Sequence, residues 1–301
     1  MRLVTFSPRA GESPRTGLLR GNAERIIDIG AAARDSGKAV PFNPDDMISL
    51  IASGRAGLDA LTRTADAAKS DLPLASVALL APIPRPRKNV FCVGWNYVDH
   101  FNEGARARPH VAEMPTHPAF FTKAPTTVTG PYATIPFHGS VSQQLDWEVE
   151  LAVVIGLGGI DIPEADAMNH IFGYTVVNDL SWRDIQRRHG QQWFKGKSLD
   201  GTLPMGPWIA TRDEIEPQDL RVTCRVNGVT KQDARTSSLY FKIPRIIAEL
   251  SAGLTLETGD VIATGTPSGV GHARTPPEFM KSGDVVETEV EGLGLLRNRI
   301  G

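Results

Sequence analysis

A β-rich α+β fold is what this sequence predicts, and three observations predict it. Short apolar runs of strand length recur along the chain, among them residues 151–155, 171–177 and 285–290. Helical periodicity is confined to a few stretches, the clearest being residues 243–250. Strands and helices do not alternate as a βαβ series would require.

Residues 3–6, 17–19 and 25–29 read as short strands split by Gly and Pro. Asn43-Pro44-Asp45-Asp46 marks a helix start, because an Asp carboxylate satisfies free N–H groups there. Met47, Leu50, Ile51, Leu58 and Leu61 continue it with helical spacing. Residues 77–80 form a further strand. Ala81-Pro82-Ile83-Pro84-Arg85-Pro86-Arg87 then sets three prolines in five residues, a stiff extended connector. It predicts a boundary between a small N-terminal α/β domain, residues 1–85, and a larger domain, residues 86–301.

In the second domain, residues 89–93 read as a buried strand ending at Gly94, and residues 104–117, rich in Arg, His and Pro, as a loop. Residues 119–122 and 132–135 are strand candidates. Residues 165–170 suggest a short helix and residues 180–189 a longer one. Residues 221–227 read as a strand that Asn227-Gly228 turns into a hairpin. Residues 261–264, 285–290 and 295–300 complete a strand-rich tail.

The composition excludes several function classes. The 301 residues carry a net charge of −2, with 22% charged and 41% hydrophobic side chains, as ordinary soluble domains do. There is no long basic run, so nucleic acid is not expected as a partner. No stretch is long and apolar enough to span a bilayer, and the first residues lack the apolar core of a signal peptide, so the expected location is the cytoplasm. Cys92 and Cys224 stand far apart without metal-ligand spacing, which argues against a zinc site or a disulfide framework. Cys92, among apolar neighbours, reads as a core thiol.

The most informative segment is Leu145-Asp146-Trp147-Glu148-Val149-Glu150, followed by an apolar or small run to Gly156. Read as a strand, it aims Glu148 and Glu150 at one face, with Asp146 one step before them. Carboxylates crowded beside a buried run repel each other unless a cation relieves them, and a hard divalent ion does so. A half-exposed strand with a solvated acidic face would give the same pattern. Asp179, at the end of the apolar run 171–177, either caps the next helix or adds a third carboxylate to such a site. Arg183 and Gln186, three apart on that helix, can face one way.

Phe194-Lys195-Gly196-Lys197-Ser198 hints at a phosphate loop, but the glycine required five residues before the Gly-Lys pair is Gln191, so nucleotide binding is rejected. A lysine there would instead orient a carboxylate or stabilise an oxyanion. In Tyr97-Val98-Asp99-His100-Phe101-Asn102-Glu103 one helical turn makes His100 and Glu103 neighbours, and a His held by a carboxylate suits a general base. Gly265-Thr266-Pro267-Ser268-Gly269-Val270-Gly271 does not match a dinucleotide fingerprint. It reads as a tight turn or as close backbone approach to a ligand, with the Thr266 hydroxyl available.

Together, and in order, these segments resemble the fumarylacetoacetate hydrolase family. Val93-Gly94-Trp95-Asn96-Tyr97, Phe120-Phe121-Thr122-Lys123, Asp146 to Gly156, Asn178 to Gln186, Lys195-Gly196-Lys197-Ser198 and Thr264 to Gly271 carry the resemblance, which covers most of residues 88–300. It implies a mixed, rolled β-sheet core, a variable leading domain, and usually a homodimer. It implies Mg²⁺ or Mn²⁺, or Ca²⁺ in some members, on Glu148, Glu150 and Asp179. Lys197 would be a substrate-contacting catalytic lysine, with Lys123, Arg183 and Gln186 shaping the pocket and Thr266 meeting the substrate carboxylate. His100 and Glu103 would form the lid pair that activates water.

The expected reaction is hydrolysis of a C–C bond in a small 2,4-dioxo acid of the acylpyruvate or fumarylpyruvate type, as met in aromatic catabolism. The same apparatus can decarboxylate oxaloacetate or isomerise 2-oxo acids, and a non-catalytic acid-binding protein is the alternative of another class. The basic stretch Ala105-Arg106-Ala107-Arg108-Pro109-His110 is expected to line or cover the acyl end.

Overall fold

The computed structural model describes residues 1–9, 11–37, 39–104, 113–190 and 192–301, so the basic stretch at 105–110 lies outside the described residues. The N-terminal segment contributes β1 (Arg2–Ser7), β2 (Arg15–Arg20), β3 (Arg25–Asp28), α1 (Ile29–Ser36), α2 (Met47–Ala52), α3 (Gly54–Asp66), β4 (Leu72–Pro73) and β5 (Ala78–Leu80). Asp28 and Asp46 start α1 and α2, each accepting a backbone N–H at 2.9 Å, from Ala31 and Ile48. The one helix expected after Asp46 is two, because Ser53-Gly54 sets two poor helix formers in succession.

Beyond the proline connector come β6 (Val90–Gly94), α4 (Val98–Glu103), β7 (Ala119–Lys123), β8 (Val128–Thr129), β9 (Leu145–Asp146) and β10 (Val149–Ile155). β11 (Ile171–Asn178), β12 (Ser181–Trp182), α5 (Arg183–Arg188), α6 (Phe194–Lys197) and β13 (Leu203–Thr211) follow. The chain ends with β14 (Arg221–Val226), β15 (Val229–Arg235), α7 (Ile243–Ser251), β16 (Val261–Ala263), β17 (Val285–Val290) and β18 (Gly294–Arg299).

A large mixed sheet runs β4-β3-β2-β1-β13-β11-β10-β16-β6-β7, with β5 on β1 and β8 on β13. β6 with β16 and β8 with β13 are parallel, while β10 and β11 pair antiparallel at its centre. β1 joins the N-terminal strands to the rest through Leu3 opposite Ile209. A second, antiparallel sheet is ordered β15-β14-β17-β18.

The centre is buried on both faces. From β10, Val149, Leu151, Val153 and Ile155 enter one core with Val222, Cys224, Val286 and Leu296 of the second sheet. Ala152 and Val154 enter another core with Ile48, Leu50 and Ile51 of α2. This is the period-two alternation of a strand. Each fully buried aliphatic side chain contributes about 1.5–3 kcal/mol, so these strands form the interior although Glu148 and Glu150 stand at one end. α7 follows the same logic and buries Ile243, Ile246, Ile247 and Leu250.

Some expectations are corrected. β13, the strand that joins β1 to β11, was not foreseen, because Pro204, Gly206 and Pro207 break up its pattern. Residues 132–135 hold a turn and a single bridge, Ile135 to Ile300, not a strand. The helix expected over 180–189 starts at Arg183, because Ser181 and Trp182 pair with Asp146 and Leu145. Among the described residues no helix is long and apolar enough to cross a membrane.

Candidate active site

β10 and β11 end together. Asp179 N donates to Glu148 O at 2.8 Å, and Val149 faces Asn178 across the ladder. The strand expected over 145–150 is interrupted between Asp146 and Val149. The reason lies in two diverted donors: Trp147 N turns back to Asp146 Oδ1 at 2.9 Å, and Glu148 N donates to Asn178 Oδ1 at 3.0 Å. Glu148 and Glu150 still converge, and Asp179 joins them. One carboxylate oxygen from each lies within 4.8 Å of the others, and all three residues are buried. Asp179 does not cap α5, which starts at Arg183 without a side-chain cap.

Three cationic side chains surround the triad. Lys197, from α6, donates to Glu148 Oε2 and Asp179 Oδ2, both at 2.6 Å. Lys123, from β7, donates to Leu180 O at 2.9 Å and lies 2.9 Å from Asp179 Oδ1. Arg183, the first residue of α5, donates from Nη2 to Glu148 Oε1 at 2.6 Å, from Nε to Asp146 Oδ2 at 2.8 Å, and from Nη1 to Gln186 Oε1 at 3.1 Å. The shared face expected of Arg183 and Gln186 is therefore present.

These contacts separate the two glutamates electrically. Burial alone would raise the Glu148 carboxyl, but Lys197, Arg183 and His100 outweigh it and hold the group well below the ordinary carboxylate range. Glu150 is pushed the other way, by burial first and then by the charges of Asp179 and Glu148. Burial also lowers Lys123, whereas at Lys197 the carboxylates of Asp179 and Glu148 overcome burial and raise its basicity.

A divalent cation fits this donor set. Glu150 has no cationic side chain in ion-pair contact among the described residues, and its bond from Gly265 N, at 2.7 Å, is from a neutral donor. Asp179 Oδ1 is buried and accepts no well-directed hydrogen bond, although Lys123 is near enough for an ion pair. A buried, uncompensated carboxylate beside an under-used carboxylate oxygen is what a hard cation relieves. The buried triad can hold such an ion.

α4 stands at the edge of the site. His100 Nδ1 and Glu103 Oε1 are 2.8 Å apart, and Glu103 Oε2 accepts from Gly269 N at 2.8 Å. The Trp95 and Trp193 rings meet edge-on at 4.9 Å, and Trp193 meets Phe121 at 5.1 Å. Lys197 Nζ lies 4.9 Å from the Phe121 ring centre. Spacing offered no signal for this aromatic group, since its members come from three separate elements. Thr266 is placed differently from the expectation. Its proton goes to Val149 O at 2.9 Å and its oxygen accepts from Gln232 Nε2 at 2.8 Å, so the hydroxyl braces β10 and keeps no second proton for a ligand. Cys92 is a buried thiol, raised by that burial.

Sequence reasoning also missed Gln232. Its side chain, 1% exposed, accepts from Val149 N at 3.1 Å and donates to Pro267 O at 2.8 Å, tying the second sheet to β10 and the glycine-rich turn. Asp146 stands apart from the triad and is held by Arg183 and His272.

Residues 89–301 match the family described as fumarylacetoacetate (FAA) hydrolase C-terminal. The chain is 45% identical over 287 residues to oxaloacetate tautomerase YisK of Bacillus subtilis (strain 168), covering 92% of this chain and 93% of that protein. It is 41% identical to the human mitochondrial oxaloacetate tautomerase FAHD2A, over 100% of this chain and 91% of that one. Among solved structures, the fumarylacetoacetate hydrolase of Exiguobacterium antarcticum superposes with a TM-score of 0.82 at 37% identity, covering 100% of this chain and 99% of that one. Maleylpyruvate hydrolase from Sphingobium sp. SYK-6, in complex with manganese(II) and pyruvate, gives 0.77 at 28% identity, with 100% and 98% covered. With its large mixed sheet, its buried acidic triad and this likeness over nearly its whole length, the chain belongs to the fumarylacetoacetate hydrolase family of enzymes.

Proposed function

We propose that this protein interconverts the keto and enol forms of oxaloacetate, or of a closely similar short 2-oxo dicarboxylate. The observation that carries the reading is the buried triad Glu148, Glu150 and Asp179 flanked by Lys123, Lys197 and Arg183. Such a site stabilises negative charge that develops on an oxo acid. The choice of oxaloacetate draws support from the relatives that match nearly the whole chain with the higher identities, which are named oxaloacetate tautomerases.

Glu148, Glu150 and Asp179 would hold a divalent cation, Mg²⁺ or Mn²⁺, whose chemistry is Lewis-acid relief of charge on the 2-oxo oxygen. The chain's own residues do the rest. Lys197, kept charged by Asp179 and Glu148, and Lys123 face the anionic substrate. Glu103 fixes one tautomer of His100 by holding Nδ1–H, so Nε2 is the base that takes the C3 proton. The imidazolium then returns that proton to the 2-oxo oxygen. C3 loses one proton and oxygen gains one, so the composition of the substrate is unchanged.

A second reading has an observation of its own. The His100–Glu103 pair, anchored to Gly269 N, also suits a base that takes a proton from water. Hydroxide would then add to the C4 carbonyl of an acylpyruvate, with Lys197, Arg183 and Gln186 facing the oxyanion. Its collapse would break C3–C4, releasing the carboxylic acid and a pyruvate enolate that takes back the proton held by His100. The test is a steady-state assay with Mn²⁺ against oxaloacetate, acetylpyruvate and fumarylpyruvate, following enol absorbance, pyruvate and CO₂ together. Faster keto–enol equilibration without pyruvate or CO₂ supports the tautomerase. Pyruvate from a dioxo acid makes the protein a C–C hydrolase, and CO₂ from oxaloacetate makes it a decarboxylase.

A further inference from the structure

The glycine-rich turn approaches the protein's own carboxylates closely, and it does so three times. Gly265 N donates to Glu150 Oε2 at 2.7 Å, Gly269 N to Glu103 Oε2 at 2.8 Å, and Gly271 N to Asp146 Oδ1 at 2.6 Å. Gly269 has φ +103°, and a Cβ there would collide with Lys231 O. At Gly271 a Cβ would strike Glu278 O and press on Asp146 and Trp147. The glycines let one stretch of backbone reach a ligand of the cation site, the lid pair and Asp146.

Asp146 is the least explained of the three. It is fully buried, yet lies outside the triad. Oδ1 accepts from Trp147 N and Gly271 N, and Oδ2 accepts from Arg183 Nε, His272 N and His272 Nδ1, at 2.6–3.1 Å. A carboxylate offers about four lone-pair sites, so none is left for a cation. Burial would raise this carboxyl, but Arg183 and His272 outweigh it and keep it ionised. The Arg183 guanidinium then forks between Asp146 and Glu148.

We infer that Asp146 is a positioning residue for the cation site: it locks Arg183, and Arg183 sets the orientation of the Glu148 carboxylate. An Asn at this position would keep an acceptor for Gly271 and Trp147. It would turn its own N–H₂ group against the Arg183 and His272 donors, freeing the fork that holds Glu148. Partners behind metal ligands typically change affinity by about 10–100-fold when removed, and that is the loss expected here.

The inference rests on the cation site proposed above, and the experiment separates the two. Mn²⁺ is titrated into the full-length protein, with free Mn²⁺ read by electron paramagnetic resonance. A wild-type chain that binds no Mn²⁺ overturns the cation site and this inference together. Given one Mn²⁺ per wild-type chain, Asp146→Asn is expected to keep that stoichiometry with affinity weakened about 10–100-fold. Arg183→Lys should show the same loss, and the double variant no further loss. Unchanged affinity in Asp146→Asn would reduce Asp146 to a turn anchor. Loss of the stoichiometric site would make it a ligand, and losses that multiply would uncouple it from Arg183; each overturns the inference. Should Asp146→Asn fail to fold, Arg183→Lys is compared with His272→Gln, which spares the fork. Weakened binding in the first alone supports the claim, and any other order overturns it.

Discussion

Two arginines of this protein grip carboxylates with similar bond lengths and in opposite settings. Arg221 holds Asp233 on the second sheet through Nε at 2.9 Å and Nη2 at 2.7 Å, with both side chains exposed. Arg183 holds Asp146 and Glu148 at 2.8 and 2.6 Å, with all three side chains buried. Bond length does not separate these pairs, but solvent does. The outer pair exchanges one set of hydrated partners for another and competes with salt and side-chain entropy. The inner pair has already given up hydration, so losing one partner leaves a bare charge in the interior. A charge network placed inside the core therefore serves geometry at the site more than it serves stability.

The largest loss of stability is expected at Arg183. Arg183→Met should destabilise the metal-free protein by about 3–5 kcal/mol, read as a drop in the urea midpoint with an unchanged slope. Lys197→Met should cost less in Mn²⁺ than in a chelator, because the cation takes over the neutralisation of Glu148 and Asp179. Its Mn²⁺-induced rise in melting temperature should exceed that of the wild type; an equal rise would mean that Lys197 and the ion do not share partners. Gly271→Ala should cost about 1–3 kcal/mol by overpacking, measured by the same urea titration. Arg221→Gln should leave the melting temperature unchanged, and a marked fall there would remove the contrast between the two arginines.

Legibility in the sequence followed distance along the chain. Glu148 and Glu150 are two residues apart on strand-like sequence, and Asp179 closes the adjacent apolar run, so local pattern offered all three as candidates and the family resemblance chose the cation site over a solvated face and a helix cap. His100 and Glu103 are three apart on one helical turn and likewise visible. Asp146 meets Gly271 across 125 positions, and Gln232 meets Thr266 across 34. No local period encodes those meetings, which the pairing of β10 with β16 and the packing of the second sheet against β10 bring about. β13 was hidden for another reason: its prolines and glycine obscure the strand pattern, but neighbours on both sides, β1 and β11, hold it as a strand.

The role proposed for the buried triad is proton transfer within oxaloacetate. It is tested most directly by the rate of oxaloacetate keto–enol equilibration, followed in the ultraviolet with Mn²⁺ for the wild type and Glu150→Gln side by side. Marked acceleration by the wild type and a loss of about 100-fold or more in the variant are expected, since Lewis-acid stabilisation is worth several kcal/mol. Equal rates in the two proteins, or a wild type that leaves the equilibration unaccelerated, would contradict it.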